Sequence, residues 1–226
     1  MSTTIESPQH DLVLCIDKPY HWTSFDVVKK VRRILKMKKV GHAGTLDPLA
    51  TGLLIVCSGK KTKTIESLMD DEKEYSGAIS LGATTASYDL ELPLENIKDI
   101  SLITEAQIRK TVQQFLGTIT QTPPIYSAIK VDGKRAYDEA RKGNEVVLKQ
   151  RQVFVKEFTI TKIELPLVYF NIVCSKGTYI RTIANDFGIS LNCGAHLHAL
   201  RRERIGKHSV LTALTPEQLE AQYLVS

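Results

Sequence analysis

The sequence predicts a mixed α/β fold of the α+β kind for a chain of 226 residues. Three observations predict it. Residues 53–57 form an unbroken apolar run of strand length, as in a strand covered on both faces, and Val168, Phe170, Ile172 and Cys174 share one face of a second strand. Val27, Val28, Val31, Ile34 and Leu35 recur instead at helical spacing. A chain of this length can bury one sizeable core, so a single domain over residues 1–226 is expected, its core at about residues 12–206, with a short strand and helix after it.

In chain order, residues 12–17 read as a short strand stopped by Pro19, and Ser24 can cap the helix that follows. The glycine-punctuated run 41–52, which contains His42, reads as a loop ahead of the apolar strand. Residues 75–81 are a strand with Tyr75, Gly77, Ile79 and Leu81 on one face, and the acidic, Pro-containing stretch 89–101 is a surface connection. Residues 104–116 form a helix ending at Gly117. Residues 127–131 enter a tight turn at Asp132-Gly133, and a short basic helix closes at Gly143. Strands follow at 153–163 and 168–174. Gly177-Thr178 then opens a helix whose stripe is Ile180, Ile183, Ala184, Phe187 and Leu191, with Tyr179 and Arg181 off it and free to face a site. Thr215-Pro216-Glu217-Gln218 has the form of a capping box with Pro at the first helical position, so a short terminal helix is expected.

Composition excludes several classes. The apolar stretch 12–16 is too short for a signal peptide or membrane span and has no cationic segment before it, so a cytoplasmic protein without membrane contact is expected. Cys15, Cys57, Cys174 and Cys193 show no CxxC pairing and read as buried thiols. The net charge is +5, concentrated in three clusters: Lys29 to Lys39, Lys130 to Lys142, and Arg201, Arg202, Arg204 and Lys207. Any one of them could be a solvated face; three together point to a nucleic-acid partner.

Between Val27 and Ile65 stand ten Lys and Arg residues and one carboxylate, Asp47. An acid there repels any polyanion that the cations attract, so it weakens binding unless it contributes chemistry. Other chemistries fail on their residues. Gly59-Lys60 lacks the earlier Gly (Leu54) and the following Ser or Thr (Lys61) of a phosphate-binding loop. Cys193, His196 and His198 fit no common zinc spacing, there is no GxSxG elbow, and Asp47 has no nearby carboxylates to hold magnesium. What remains is a lone carboxylate for covalent or acid–base work on a bound nucleotide.

The run 41–52, GHAGTLDPLATG, occurs with Asp17-Lys18-Pro19, Lys73-Glu74-Tyr75, Tyr126 to Lys130, Cys174 to Arg181 and Leu200-Arg201-Arg202. In this order the blocks resemble the bacterial TruB-type tRNA pseudouridine synthases. The resemblance covers residues 12–206 and implies a pseudouridine synthase fold: a central, mainly antiparallel mixed sheet with flanking helices and an RNA-binding cleft. It implies isomerisation of uridine 55 in the T arm of tRNA, by a monomer, without cofactor or metal. It makes Asp47 the nucleophile, Tyr75 the platform under the flipped uracil and His42 the residue near the vacated gap; help from the Tyr75 phenol in removing the C5 proton is a further role, with the plain platform preferred. Tyr179 and Leu200 complete the pocket, and Arg181 pairs with Asp47 and favours its ionised form. Lys18 is read as support for the Asp47 loop or an RNA contact, with support preferred; Lys130 is left between the same two roles.

The chain departs from the family pattern in places. His21 stands where members show Gly, and a side chain there excludes a backbone conformation that only Gly takes easily. Ala86 and Leu92 replace an Asp and a Gly, while Asp89 is kept and read, like Lys18 and Lys130, as support or an RNA contact. Many relatives append a PUA domain, and none is expected here. Two other readings share features: a noncatalytic RNA-binding or RNA-folding protein, and a nucleoside glycosidase.

Overall fold

The computed structural model describes residues 11–126, 130–131, 134–135 and 148–224. They belong to two compact units, Met1–Lys73 with Arg201–Ser226, and Glu74–Leu200.

In the first unit, β3 (Ala50–Ser58) is the strand of the apolar run. It pairs antiparallel with β1 (Val13–Lys18) and with β2 (Val40–Ala43), which sets Cys15 opposite Ile55 and His42 opposite Val56. Its alternate residues enter two different cores. Leu54 and Val56 pack with Ile16, Val40, Val27, Val28, Val31 and Leu35 of α1 (Ser24–Leu35), and Leu219 of a C-terminal helix. Leu53, Ile55 and Cys57 pack with Ala43, Ile205 and Val210, and with Ile65 and Leu68 of α2 (Ile65–Asp70). Coverage on both faces is therefore what the unbroken apolar run encodes, each buried aliphatic side chain contributing about 1.5–3 kcal/mol.

The cap of α1 is Thr23 rather than Ser24. Asp26 lies three residues beyond Thr23 and completes a capping box: Thr23 Oγ1 accepts from Asp26 N at 3.1 Å, and Asp26 Oδ2 accepts from Thr23 N at 2.9 Å. Ser24 is left inside the first turn, buried. Strand β2 was not expected, and it puts His42 in a strand rather than a loop: the Gly41-His42-Ala43 stretch has weak strand propensity, and pairing with β3 decides it.

The second unit orders its strands from the N-terminal half of β10 (Ala195–Ile205) through β4 (Lys73–Leu81), β9 (Leu167–Cys174) and β8 (Arg151–Glu164) to β5 (Gly117–Gln121). The β8–β9 and β5–β8 pairs are antiparallel. Strand β5, with Ile119 as its single aliphatic residue, carried no sequence signal. Thr104 caps α3 (Glu105–Thr111) with a box to Gln107, and a 3-10 segment continues to Phe115, close to the helix expected there. With α4 (Ile180–Ser190) these elements enclose the rings of Phe115, Phe158, Phe170 and Phe187, at centroid separations of 5.8–6.2 Å.

Strands β6 (Lys130–Val131) and β7 (Lys134–Arg135) pair antiparallel on either side of the expected turn; residues 132–133 and the basic helix lie outside the described residues. In the first unit, the short strand β11 (His208–Ser209) follows β10, and Thr215 exchanges bonds with Gln218 at the start of α5 (Pro216–Leu224), as the capping box required. Cys15, Cys57, Cys174 and Cys193 form no disulfide; Cys57, Cys174 and Cys193 are buried, and Cys15 partly so. Among the described residues, no helix is long and apolar enough to cross a membrane.

Candidate active site

Asp47 is half-buried in the turn that joins β2 to β3, and its neighbours on both sides are pinned. Before it, the buried hydroxyl of Ser24 accepts from Leu46 N at 2.9 Å and lies 3.1 Å from Leu46 O, to which it donates. Two residues further back, Arg202 holds the turn from inside: Nη2 donates to Gly44 O at 3.1 Å, Nη1 to Thr45 O at 3.3 Å and Nε to Leu53 O at 2.7 Å. After it, Pro48 O accepts from His21 N at 2.9 Å and from Lys18 Nζ at 3.4 Å. Asp47's own carbonyl accepts from Ala50 N at 3.1 Å. Gly52 has φ +100° and passes so close to β10 that a Cβ there would lie 2.4 Å from Arg202 O, so this position admits no side chain.

Lys18 is buried completely, with Nζ donating to Trp22 O at 2.6 Å and Pro19 O at 3.1 Å. Its ammonium thus serves the Asp47 loop from within. Burial lowers its pKa from 10.5 to about 8; the Asp47 carboxylate opposes that shift and the Arg202 cation adds to it. His42 is likewise held below its usual 6.5 by burial and by Arg202, so it is neutral at pH 7.

His21 does take the conformation that a side chain was expected to exclude. Its φ is +66°, held by the bond from its N–H to Pro48 O. Histidine is among the few non-Gly residues that tolerate this region, at some cost.

In the second unit, Tyr75 is a buried residue of β4 and Leu200 a half-buried residue of β10. Tyr179 caps α4, and the Gln121 side chain ties down its backbone, accepting from Tyr179 N at 3.0 Å and donating to Tyr179 O at 3.1 Å. The Arg151 guanidinium lies over the Tyr179 ring, 4.3 Å from its centroid. Arg181 is buried rather than open to a groove. Its Nη1 donates to Tyr126 O at 2.9 Å and Ser87 O at 3.1 Å, and stands 3.5 Å from Asp89 Oδ2. Asp89 is buried too, its Oδ1 accepting from Glu91 N at 3.0 Å.

The candidates thus divide between the units: Lys18, His42 and Asp47 in the first, Tyr75, Asp89, Tyr179, Arg181 and Leu200 in the second. The Lys130 side chain lies outside what is described. Sequence reasoning missed Ser24, Gln121, Arg151 and the internal role of Arg202. It also misread the third cationic cluster. Arg202 is buried, Arg201 makes two bonds to Asp17 at 2.7 and 3.1 Å, and Arg204 pairs with Glu72 at 3.0 Å, so three of its four cations serve the chain itself. In the first cluster, Lys30 and Arg33 pair with Glu220, while Lys29 is exposed. Cys193 and His196 are buried, His196 Nδ1 donating to Ala83 O at 2.9 Å; no group of His, Cys, Asp and Glu among the described residues could hold a metal ion.

The TruB family pseudouridylate synthase N-terminal domain matches residues 32–180, and the tRNA pseudouridylate synthase B C-terminal domain matches residues 181–226. The chain is 51% identical over 209 residues to tRNA pseudouridine synthase B of Flavobacterium johnsoniae, covering 89% of this chain and 91% of that protein. It is 49% identical over 211 residues to the protein of that name from Opitutus terrae, covering 93% and 88%. Among solved structures it is similar to a chain of a Cbf5-Nop10-Gar1 complex, with a TM-score of 0.72 and 30% identity over 93% of this chain and 54% of that one. A chain of an H/ACA RNP bound to a substrate RNA containing 2'-deoxyuridine gives 0.70, at 27% identity. This chain spans about half the length of those two.

Proposed function

We propose, from the premise that this chain belongs to the TruB family of pseudouridylate synthases, that it converts uridine to pseudouridine in tRNA, its target being uridine 55 of the T arm. The observation that carries the reading is the Asp47 turn: the one carboxylate of a cationic segment, held on either side by the side chains of Ser24, Arg202 and Lys18 and by the backbone N–H of His21. A nucleophile or base presented this way loses little freedom on reaching the transition state.

In this reading the uridine leaves the RNA stack, as a base must before a side chain can reach its ring. The C1′–N1 bond breaks, the base turns, and a C1′–C5 bond forms; C5 gives up a proton and N1 takes one. Atoms and electrons are conserved, so the reaction has no need of a redox cofactor. Asp47 is the group that acts on the nucleotide, and the family resemblance gives Arg181 the role of favouring its carboxylate form. Tyr75 stacks on the everted uracil and helps take the C5 proton, Tyr179 and Leu200 close the pocket, and His42, neutral, faces the vacated space. Asp89 positions Arg181, and Lys18 positions the Asp47 turn. The protein works as a single catalytic domain and as a monomer, on tRNA in the cytoplasm.

The test incubates the protein and its Asp47→Asn variant with a T-arm transcript and with free uridine, then digests and separates the nucleosides. Pseudouridine from the parent, and a loss of about four orders of magnitude in the variant, is the expected result. An amide at 47 that turns over at the parent's rate overturns the role of Asp47. Liberated uracil would make the protein a glycosidase, and binding without any product a noncatalytic RNA-binding protein.

A further inference from the structure

The residue after Tyr20 poses a question that the proposed chemistry does not use. His21 is exposed and sits at φ +66°, a conformation glycine would hold without strain while making the same bond to Pro48 O. The imidazole is all that histidine adds there. It lies against the exposed Tyr20 ring, with centroids 4.1 Å apart and planes at 53°. A few residues on, Phe25 is also exposed, with Lys29 Nζ and the Arg32 guanidinium each 5.8 Å from its centroid.

Exposed rings, with the cations Lys29 and Arg32 beside that of Phe25, are what unstacked nucleotides use: any base offers a π-face, and the cations meet its phosphates. The same loop is bonded to the Asp47 turn through His21 N and Lys18 Nζ, both on Pro48 O. We propose that the Tyr20–His21 pair, with Phe25 and Lys29 beside it in the chain, is a second RNA-contact surface that stacks an unpaired nucleotide of the substrate RNA next to the turn that carries Asp47. The inference rests on the synthase reading for the identity of the RNA, and on its own geometry for the surface.

The test compares the parent with Tyr20→Ala, His21→Gly and His21→Asn on a T-arm stem–loop transcript, measuring Kd, KM, kcat and thermal midpoint. All three variants should bind about three- to tenfold more weakly, the value of a base–aromatic contact, with the loss in KM rather than kcat. His21→Gly should meanwhile raise the thermal midpoint, because it relieves the left-handed strain; a histidine that mattered only to the fold would lower it and leave Kd unmoved. Asparagine tolerates the same backbone but has no ring, so it should weaken binding as glycine does. Variants that bind as tightly as the parent overturn the surface. A parent that binds the transcript and makes no pseudouridine overturns the synthase reading instead, while the Kd comparison still decides the surface.

Discussion

Ser24 Oγ grips both backbone groups of Leu46, accepting from its N–H at 2.9 Å and donating to its carbonyl at 3.1 Å across a separation of 22 residues. The contact is buried, so this hydroxyl stands in for water at the two groups beside Asp47. Ser24→Ala would strand a buried donor and a buried acceptor and is expected to destabilise the protein by about 1–3 kcal/mol. It should also loosen the turn, so kcat should fall more than the stability loss explains at temperatures where the variant is fully folded. Urea unfolding together with single-turnover rates checks this; unchanged kcat would make the clamp purely structural.

Tyr75→Phe keeps the ring in β4 and removes only the hydroxyl. Transcript affinity should stay within about twofold, while the rate falls by about a hundredfold, the usual scale for a group that moves a proton. Equilibrium binding and single-turnover kinetics separate the two. A large loss of binding would count against the platform.

Lys18 supplies a pH signature. Its folded pKa of about 8 lies below the usual 10.5, so between these values the unfolded chain binds the extra proton. The contribution of this group to stability therefore rises as pH climbs from about 8 to 10.5, and is lost as pH falls back through about 8. Thermal midpoints of the parent and of Lys18→Met should accordingly differ by an amount that changes with pH in that window and is flat below it. A difference independent of pH would show that Lys18 does not titrate there.

The cations after α1 have a separate test. Replacing Lys36, Lys38 and Lys39 by Gln should flatten the slope of log affinity against log salt by about 0.7–0.9 for each phosphate that is no longer neutralised. Filter binding of the transcript at several salt concentrations reads the slope, and an unchanged slope removes these lysines from the RNA surface.

Signals that act over three or four residues were legible in the chain itself: the periodicity of α1 and α4, the box that starts α5, the apolar run of β3, and the isolation of Asp47 among cations. The family blocks placed the other candidates, but not their surroundings. What only the tertiary structure decided are interactions whose partners are far apart in sequence. Arg202 reads as one more cation of a basic run, and its partner Leu53 O is 149 residues away. Ser24 reads as a cap until Thr23 takes that place and the hydroxyl turns to Leu46. Strands β2 and β5 have too few apolar residues to announce themselves and exist because β3 and β8 offer them hydrogen bonds. Folding alone brings such groups together, since the desolvation that forces a buried cation or hydroxyl to find a partner does not arise until the chain has closed around it.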